Sequence, residues 1–133
     1  MFALKIEAQT GGFAAIPLWT NAQLGARFTT PILKDGRLHG YTDRFFCADA
    51  RTGETLWTVS ANEGNSAALL DAGPVILALT VKSTLVARKP GDTEYTELAR
   101  YQVADTETWA HPVVAGKRIF IRDTDNVALW TMD

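Results

Sequence analysis

Apolar and polar residues alternate along this chain in short runs, punctuated by Gly, Pro and Asp. Alternation at period two marks half-buried strands. Residues 30–38, 67–75 and 111–119 each read as a strand, a Gly-containing turn and a second strand, which is a hairpin. Each hairpin leads into a third strand, over 44–48, 83–87 and 126–130. A fourth strand follows the first two of these, over 54–58 and 96–101. Near the start, 2–6 and 17–20 read as the last two strands of an earlier unit. Residues 75–79, Val-Ile-Leu-Ala-Leu, form the longest apolar run. It is far below the roughly 20 residues of a membrane span, so it reads as a buried strand. No stretch keeps a helical period for long. Residues 21–27 have room for one helical turn and read as a connection between units. Residues 63–65 and 105–107 hold the matching positions later. Thr10-Gly11-Gly12 and Lys89-Pro90-Gly91-Asp92 read as turns.

The units repeat. Pro31 and Pro112 lie 81 positions apart, about two periods of forty. Gly73 lies 37 positions after Gly36, and the Leu-Trp-Thr triplets at Trp19 and Trp57 are 38 apart. A four-strand unit recurring every forty or so residues is a propeller blade. The expected fold is all-β: a partial β-propeller of four-stranded antiparallel blades, about three of them, not a closed ring. The units fall at 1–27 (two strands and a linker), 28–62 (a full blade), 63–104 (a full blade with a degenerate motif) and 105–133 (a three-stranded last blade).

One segment carries a signature. Cys47-Ala48-Asp49-Ala50-Arg51-Thr52-Gly53-Glu54-Thr55-Leu56-Trp57 resembles the tryptophan-docking motif of the pyrroloquinoline-quinone-type β-propellers, Ala-x-Asp-x-x-Thr-Gly-x-x-x-Trp. Ala48, Asp49, Thr52, Gly53 and Trp57 match it in type and spacing. Asp and Thr side chains can bond turn backbone, and Gly tolerates positive φ. Trp buries a large ring while its N–H seeks an acceptor, which suits a contact between blades. The middle unit has Ala87-Arg88-Lys89-Pro90-Gly91-Asp92 and lacks the Asp and Trp of the motif. The first unit has Trp19 without a Thr-Gly partner. The resemblance implies a ring closed by pairing the N-terminal strand with the last blade. On that expectation the chain is a C-terminal fragment, and its open ends self-associate, with the strand around Leu18 and Trp19 of one copy beside the last blade of another.

Composition narrows the chemistry. With 13 Lys+Arg and 15 Asp+Glu, the formal net charge is −2, which gives no reason to expect a nucleic-acid partner. Hydrophobic residues make up 47%, too many for a wholly disordered chain. The single cysteine, Cys47, excludes an internal disulfide or a cysteine-rich zinc site. Inside an alternating strand, it reads as a small buried hydrophobe. His39 and His111 sit at non-equivalent repeat positions and read as structural or surface residues. Asp123-Thr124-Asp125-Asn126 clusters carboxylates but lacks the Gly and Glu of a calcium loop, so it reads as a polar hairpin turn. No catalytic, cofactor or metal residue is assigned.

Three functions remain open. The first is a non-catalytic binding scaffold holding protein partners in the bacterial cell envelope or periplasm, as the family resemblance implies. The second is part of a quinone-dependent oxidoreductase whose pyrroloquinoline quinone site lies outside this chain. The third is a cytoplasmic interaction module, since no secretory signal is visible.

Overall fold

The computed structural model describes residues 1–60, 62–91 and 93–132. They form thirteen strands and no helix. The first sheet pairs β1 (Phe2–Gln9) with β2 (Gly12–Thr20). The second runs in order through β3 (Ile32–Lys34), β4 (Arg37–Tyr41), β5 (Phe45–Asp49) and β6 (Thr55–Thr58). The third contains β7 (Ala67–Asp71), β8 (Ile76–Thr80), β9 (Thr84–Arg88) and β10 (Glu97–Gln102). The fourth contains β11 (Val113–Ala115), β12 (Arg118–Arg122) and β13 (Val127–Thr131). Every pairing is antiparallel between chain neighbours. The architecture is a partial β-propeller, four sheets that do not close.

Local chemistry explains the turns. Asp35 and Gly36 both take positive φ, 49° and 74°. That pair is the signature of a two-residue type I′ hairpin, whose twist matches the flanking strands. Third strands begin one residue later than alternation predicts, because side chains and backbone claim the preceding residue for a turn. Ser83 has φ 61° and its N–H donates to Thr80 O, so β9 starts at Thr84. The Asn126 N–H donates to the Asp123 carboxylate at 2.6 Å, so β13 starts at Val127. Thr42 N bonds Arg44 O, so β5 starts at Phe45. The first hairpin is longer than expected, reaching Gln9 and resuming at Gly12 across a tight Thr10-Gly11 turn. Residues 21–27 form no helical turn; Asn21 Oδ1 instead accepts from the Gln23 and Leu24 N–H groups. Of the turn expected at Lys89-Pro90-Gly91-Asp92, Asp92 lies outside the described residues, as does Asp133 at the end of the last unit.

Each pair of neighbouring sheets encloses its own apolar seam. Leu24, Phe46 and Ala48, with Met1 and Leu38 against them, fill the seam of the first and second sheets. Tyr41, Phe45, Ala67, Leu69, Ala78 and Val86 fill the next. Ala68, Leu77, Leu79, Leu85, Ile119 and Ile121 fill the third. β8 lies between two seams, so all five of its residues are buried. This is the physical meaning of the continuous apolar run at 75–79. Each fully buried Leu or Ile there contributes about 1.5–3 kcal/mol relative to exposure.

Candidate functional site

The five motif residues do not converge on one spot. Ala48, Asp49, Thr52 and Gly53 build a receiving turn after β5, and Trp57 leaves it for the next sheet. The Asp49 carboxylate accepts from the Arg51 and Thr52 N–H groups at 2.8 and 3.0 Å and pairs with Arg37 Nη1 at 2.8 Å. The two backbone donors, with Arg37 behind them, hold its pKa below the usual carboxylate value. Thr52 Oγ1 accepts from the Glu54 N–H. Asp49 N also donates to Glu54 O, which closes the turn and delays β6 to Thr55. Ala48 is buried in the first seam.

The ring received by this turn is Trp19, from β2 of the preceding sheet. Trp19 Nε1 donates to Ala50 O at 2.9 Å. Gly53 has φ 75°, and a Cβ added there would lie 2.4 Å from the Trp19 ring. Only glycine satisfies both the backbone and the close approach. Asn21 adds two bonds across the same seam, from Nδ2 to Gly53 O at 2.8 Å and Thr55 Oγ1 at 3.1 Å. Trp57 repeats the pattern one sheet on: its Nε1 donates to Gly91 O at 3.2 Å, in the turn region after β9.

That second seam holds a cluster with a less legible signal in the sequence. His39 and Trp57 both stand opposite Cys47 on neighbouring strands, which puts the three side chains in one row across the second sheet. From β9 of the third sheet, Arg88 enters this row fully buried. Its guanidinium carbon lies 5.6 Å from the centroid of Phe45 and 5.6 Å from that of Trp57, in cation–π range of both. Arg88 Nη1 is 3.3 Å from His39 Nδ1. His39 Nε2, Arg88 Nε and Arg88 Nη2 have no hydrogen-bond partner among the described residues. Burial, then the facing Arg88 charge, pushes His39 down to about 4. Burial lowers Arg88 to about 10. The imidazole is therefore neutral at pH 7 and accepts the guanidinium proton at Nδ1.

Two adjoining grooves open at the end of the sheets where the linkers run. One, of about 300 Å³, is lined by Gly25, Arg27, Thr42, Asp43 and Asn65. The other, of about 350 Å³, shares Thr42 and Asp43 and adds Arg44 and Thr58. Hydrogen bonds from Arg44 and Thr42 hold Asp43 down at about 2, so its carboxylate stays ionised. A third groove, of about 430 Å³ and apolar, lies beside β13 and is lined by Leu85, Tyr101, Val103, Ile119, Trp130 and Met132.

The remaining candidates are spread out. His111 is exposed. Cys47 is buried in β5. Asp123 Oδ1 is occupied by the N–H groups of Asp125 and Asn126, as an Asx turn requires. Among the described residues no three His, Cys, Asp or Glu side chains are placed to hold a metal ion. The buried cation, Arg88, is enclosed by Phe45, Trp57 and His39.

The fold and its seams define a partial β-propeller whose first three sheets are tied together by tryptophan and arginine contacts. Among solved structures, the chain is similar to BamB from Moraxella catarrhalis, with a TM-score of 0.57 and 15% identity over 96% of this chain and 44% of that one. The computationally designed Ika4 protein aligns at a TM-score of 0.49 and 9% identity, over 87% of this chain and 98% of that one. The chain spans less than half the length of the BamB structure, and that likeness carries the propeller fold. A scan against protein-family models finds no match, and a comparison with curated proteins finds none. Among the described residues no helix is long and apolar enough to cross a membrane.

Proposed function

We propose that the chain is a non-catalytic binding scaffold, a propeller segment that holds a protein partner in the bacterial cell envelope. The observation that carries this reading is the pair of adjoining grooves sharing Thr42 and Asp43. They are built from the connectors of successive sheets and rimmed by both signs of charge, Arg27 and Arg44 against Asp43. Loops fixed on a rigid scaffold are where binding surfaces concentrate. Here the scaffold is fixed by the seams: Tyr41 Oη donates to Gly64 O at 2.7 Å, and Thr29 Oγ1 donates to Ala67 O at 2.7 Å, anchoring both linkers beside the grooves. The envelope location draws on the resemblance of the Cys47–Trp57 segment to the quinone-type propellers.

Site-specific photo-cross-linking tests the reading. A cross-linker replacing Arg44 is expected to give one discrete protein adduct in the envelope fraction, lost when Arg27→Glu reverses the rim charge. A cross-linker at Lys117, on the opposite end of the sheets, is expected to give none. The reading fails if no discrete adduct forms at Arg44, or if it survives the charge reversal. It also fails if the chain binds pyrroloquinoline quinone with calcium and turns over an artificial dye.

A further inference from the structure

The linker beside the first groove holds one side chain in an unfavourable place. Phe28 has φ 55° and is 81% exposed. A bulky residue in the left-handed region is a steric outlier, and a large ring left in water gains nothing from burial. The next residue fixes this conformation. Thr29 is buried, and its Oγ1 donates to Ala67 O at 2.7 Å. The backbone is pinned there, so the ring is held out rather than left loose. Strain of this kind persists only where the surroundings impose it, and it clusters at ligand clamps. Trp109 lies 81 positions on, the spacing of Pro31 and Pro112, and is 55% exposed on a later linker. An outward aromatic ring therefore recurs at this repeat position. The charges near Phe28 do not balance. Asp43 is held by Arg44 through two bonds of 3.2 Å, and Glu63 by Arg100 at 2.8 Å. Arg27, on the groove wall, makes no ion pair among the described residues, and neither does Lys82. A Cβ added at Gly64 would lie 3.7 Å from the Lys82 stem, which puts Lys82 at the same end, near Asn65. Asn65 lines the groove with Arg27, and its side-chain amide makes no hydrogen bond among the described residues.

We propose that this end binds an extended acidic peptide segment of the partner protein, with a carboxylate on Arg27 and Lys82, a peptide unit on the Asn65 amide and an apolar side chain against Phe28. The proposal deepens the scaffold reading above and rests on it. Each free group selects its counterpart. A guanidinium takes a carboxylate in charge-assisted, often bidentate bonds. A side-chain amide carries both a donor and an acceptor, as a peptide unit does. Aromatic and arginine side chains are where interface energy concentrates, and here they are chain neighbours. Asp43 does not cancel the attraction, because its two oxygens are already engaged by Arg44. A nucleic acid would ask for a stripe of cations, and this rim offers two.

The test selects random phage-displayed peptides, about twelve residues long, against the full chain. Recovered peptides are expected to combine Asp or Glu with Leu, Phe or Trp, and a synthetic copy is expected to bind by fluorescence polarisation. Arg27→Glu is expected to weaken that copy about tenfold or more and to shift the selection toward Lys and Arg. Phe28→Gly accepts the left-handed backbone without strain. It is expected to keep or raise the urea midpoint while weakening the same peptide about tenfold or more. The proposal is overturned if no peptide is recovered, if the recovered peptides lack the acidic and apolar pairing, or if either variant binds as the parent does. A Phe28→Gly chain that loses stability shows a structural ring and also overturns it. Cross-linking at Arg44 keeps the two readings apart. A discrete adduct with a failed selection overturns the peptide chemistry alone, and a selected peptide without an adduct overturns the envelope scaffold alone.

Discussion

Replacing Gly53 with alanine asks whether the turn after β5 is shaped to receive Trp19. Two costs act together. A left-handed backbone conformation costs an L-residue about 1–2 kcal/mol, and Gly53 has φ 75°. The new methyl would also sit 2.4 Å from the Trp19 ring, and overpacking of this kind costs about 1–3 kcal/mol. The ring cannot retreat freely, because its Nε1 donates to Ala50 O at 2.9 Å and withdrawal forfeits that bond. The expected loss is about 2–5 kcal/mol, read from the urea midpoint. A Trp19→Ala background separates the two costs. With the ring gone the crowding disappears and only the backbone strain remains, so the double-mutant cycle is expected to show coupling of about 1–3 kcal/mol. A Gly53→Ala cost that is equal in both backgrounds, or smaller than about 0.5 kcal/mol, would refute the docking geometry.

Arg88→Met keeps an apolar stem between Phe45 and Trp57 and removes a buried charge, so stability is expected within about 1 kcal/mol of the parent, whereas Arg88→Ala opens a void and costs about 2–4 kcal/mol. Thermal unfolding compares them, and equal large losses would show that the charge itself holds the seam. His39 resists protonation to about 4 in the folded chain but titrates near 6.5 when unfolded. The unfolded state therefore binds the proton first, and stability present above pH 6.5 is lost as pH falls toward 4, by up to about 3 kcal/mol. A His39→Leu chain whose urea midpoint falls as steeply as the parent's between pH 7 and 4.5 contradicts that assignment. Tyr41→Phe removes the donor to Gly64 O and is expected to cost about 1 kcal/mol; an unchanged urea midpoint would show that this bond is not holding the linker.

The strands were legible because alternation and turn chemistry agree at almost every unit. Asp35-Gly36 announces its hairpin, and the unbroken apolar run at 75–79 announces a strand buried on both faces. The late starts of the third strands have one cause. Ser83, Asn126 and Arg44 alternate like strand residues, yet each is held in a turn by a bond from or to a neighbour. The docking turn was legible in its chemistry but not in its connections. Asp49, Thr52 and Gly53 sit within five residues of one another, whereas the ring they receive lies thirty or more positions upstream. The 38-residue spacing of Trp19 and Trp57 carried the signal, since each ring moves one sheet forward. Arg88 was not legible in role. A charged residue at the end of an apolar strand reads as a surface terminus, and its burial exists only once Phe45 and Trp57 close over it from another sheet.

The seams within the chain solve one problem in three ways, and this assigns them different sensitivities. The first seam rests on a turn held by the Asp49 carboxylate, whose pKa the turn N–H groups keep low, on an indole, and on Asn21, which is neutral. The second rests on a guanidinium packed between two rings and facing a single imidazole. The third rests on Leu77, Leu79, Leu85, Ile119 and Ile121, with Thr108 Oγ1 donating to Thr80 O at 2.7 Å. In stacked repeats stability is close to a sum over such neighbour interfaces. Protonating His39 sets a second positive charge against Arg88 in a dry interior, so the repulsion falls on the second seam alone. Acid therefore weakens the stack at its centre, between the second and third sheets, while the outer two seams keep their apolar contacts. The replacement of the motif's carboxylate turn by an arginine changes how two sheets are joined and makes that joint respond to falling pH before the Asp49 turn of the first seam does.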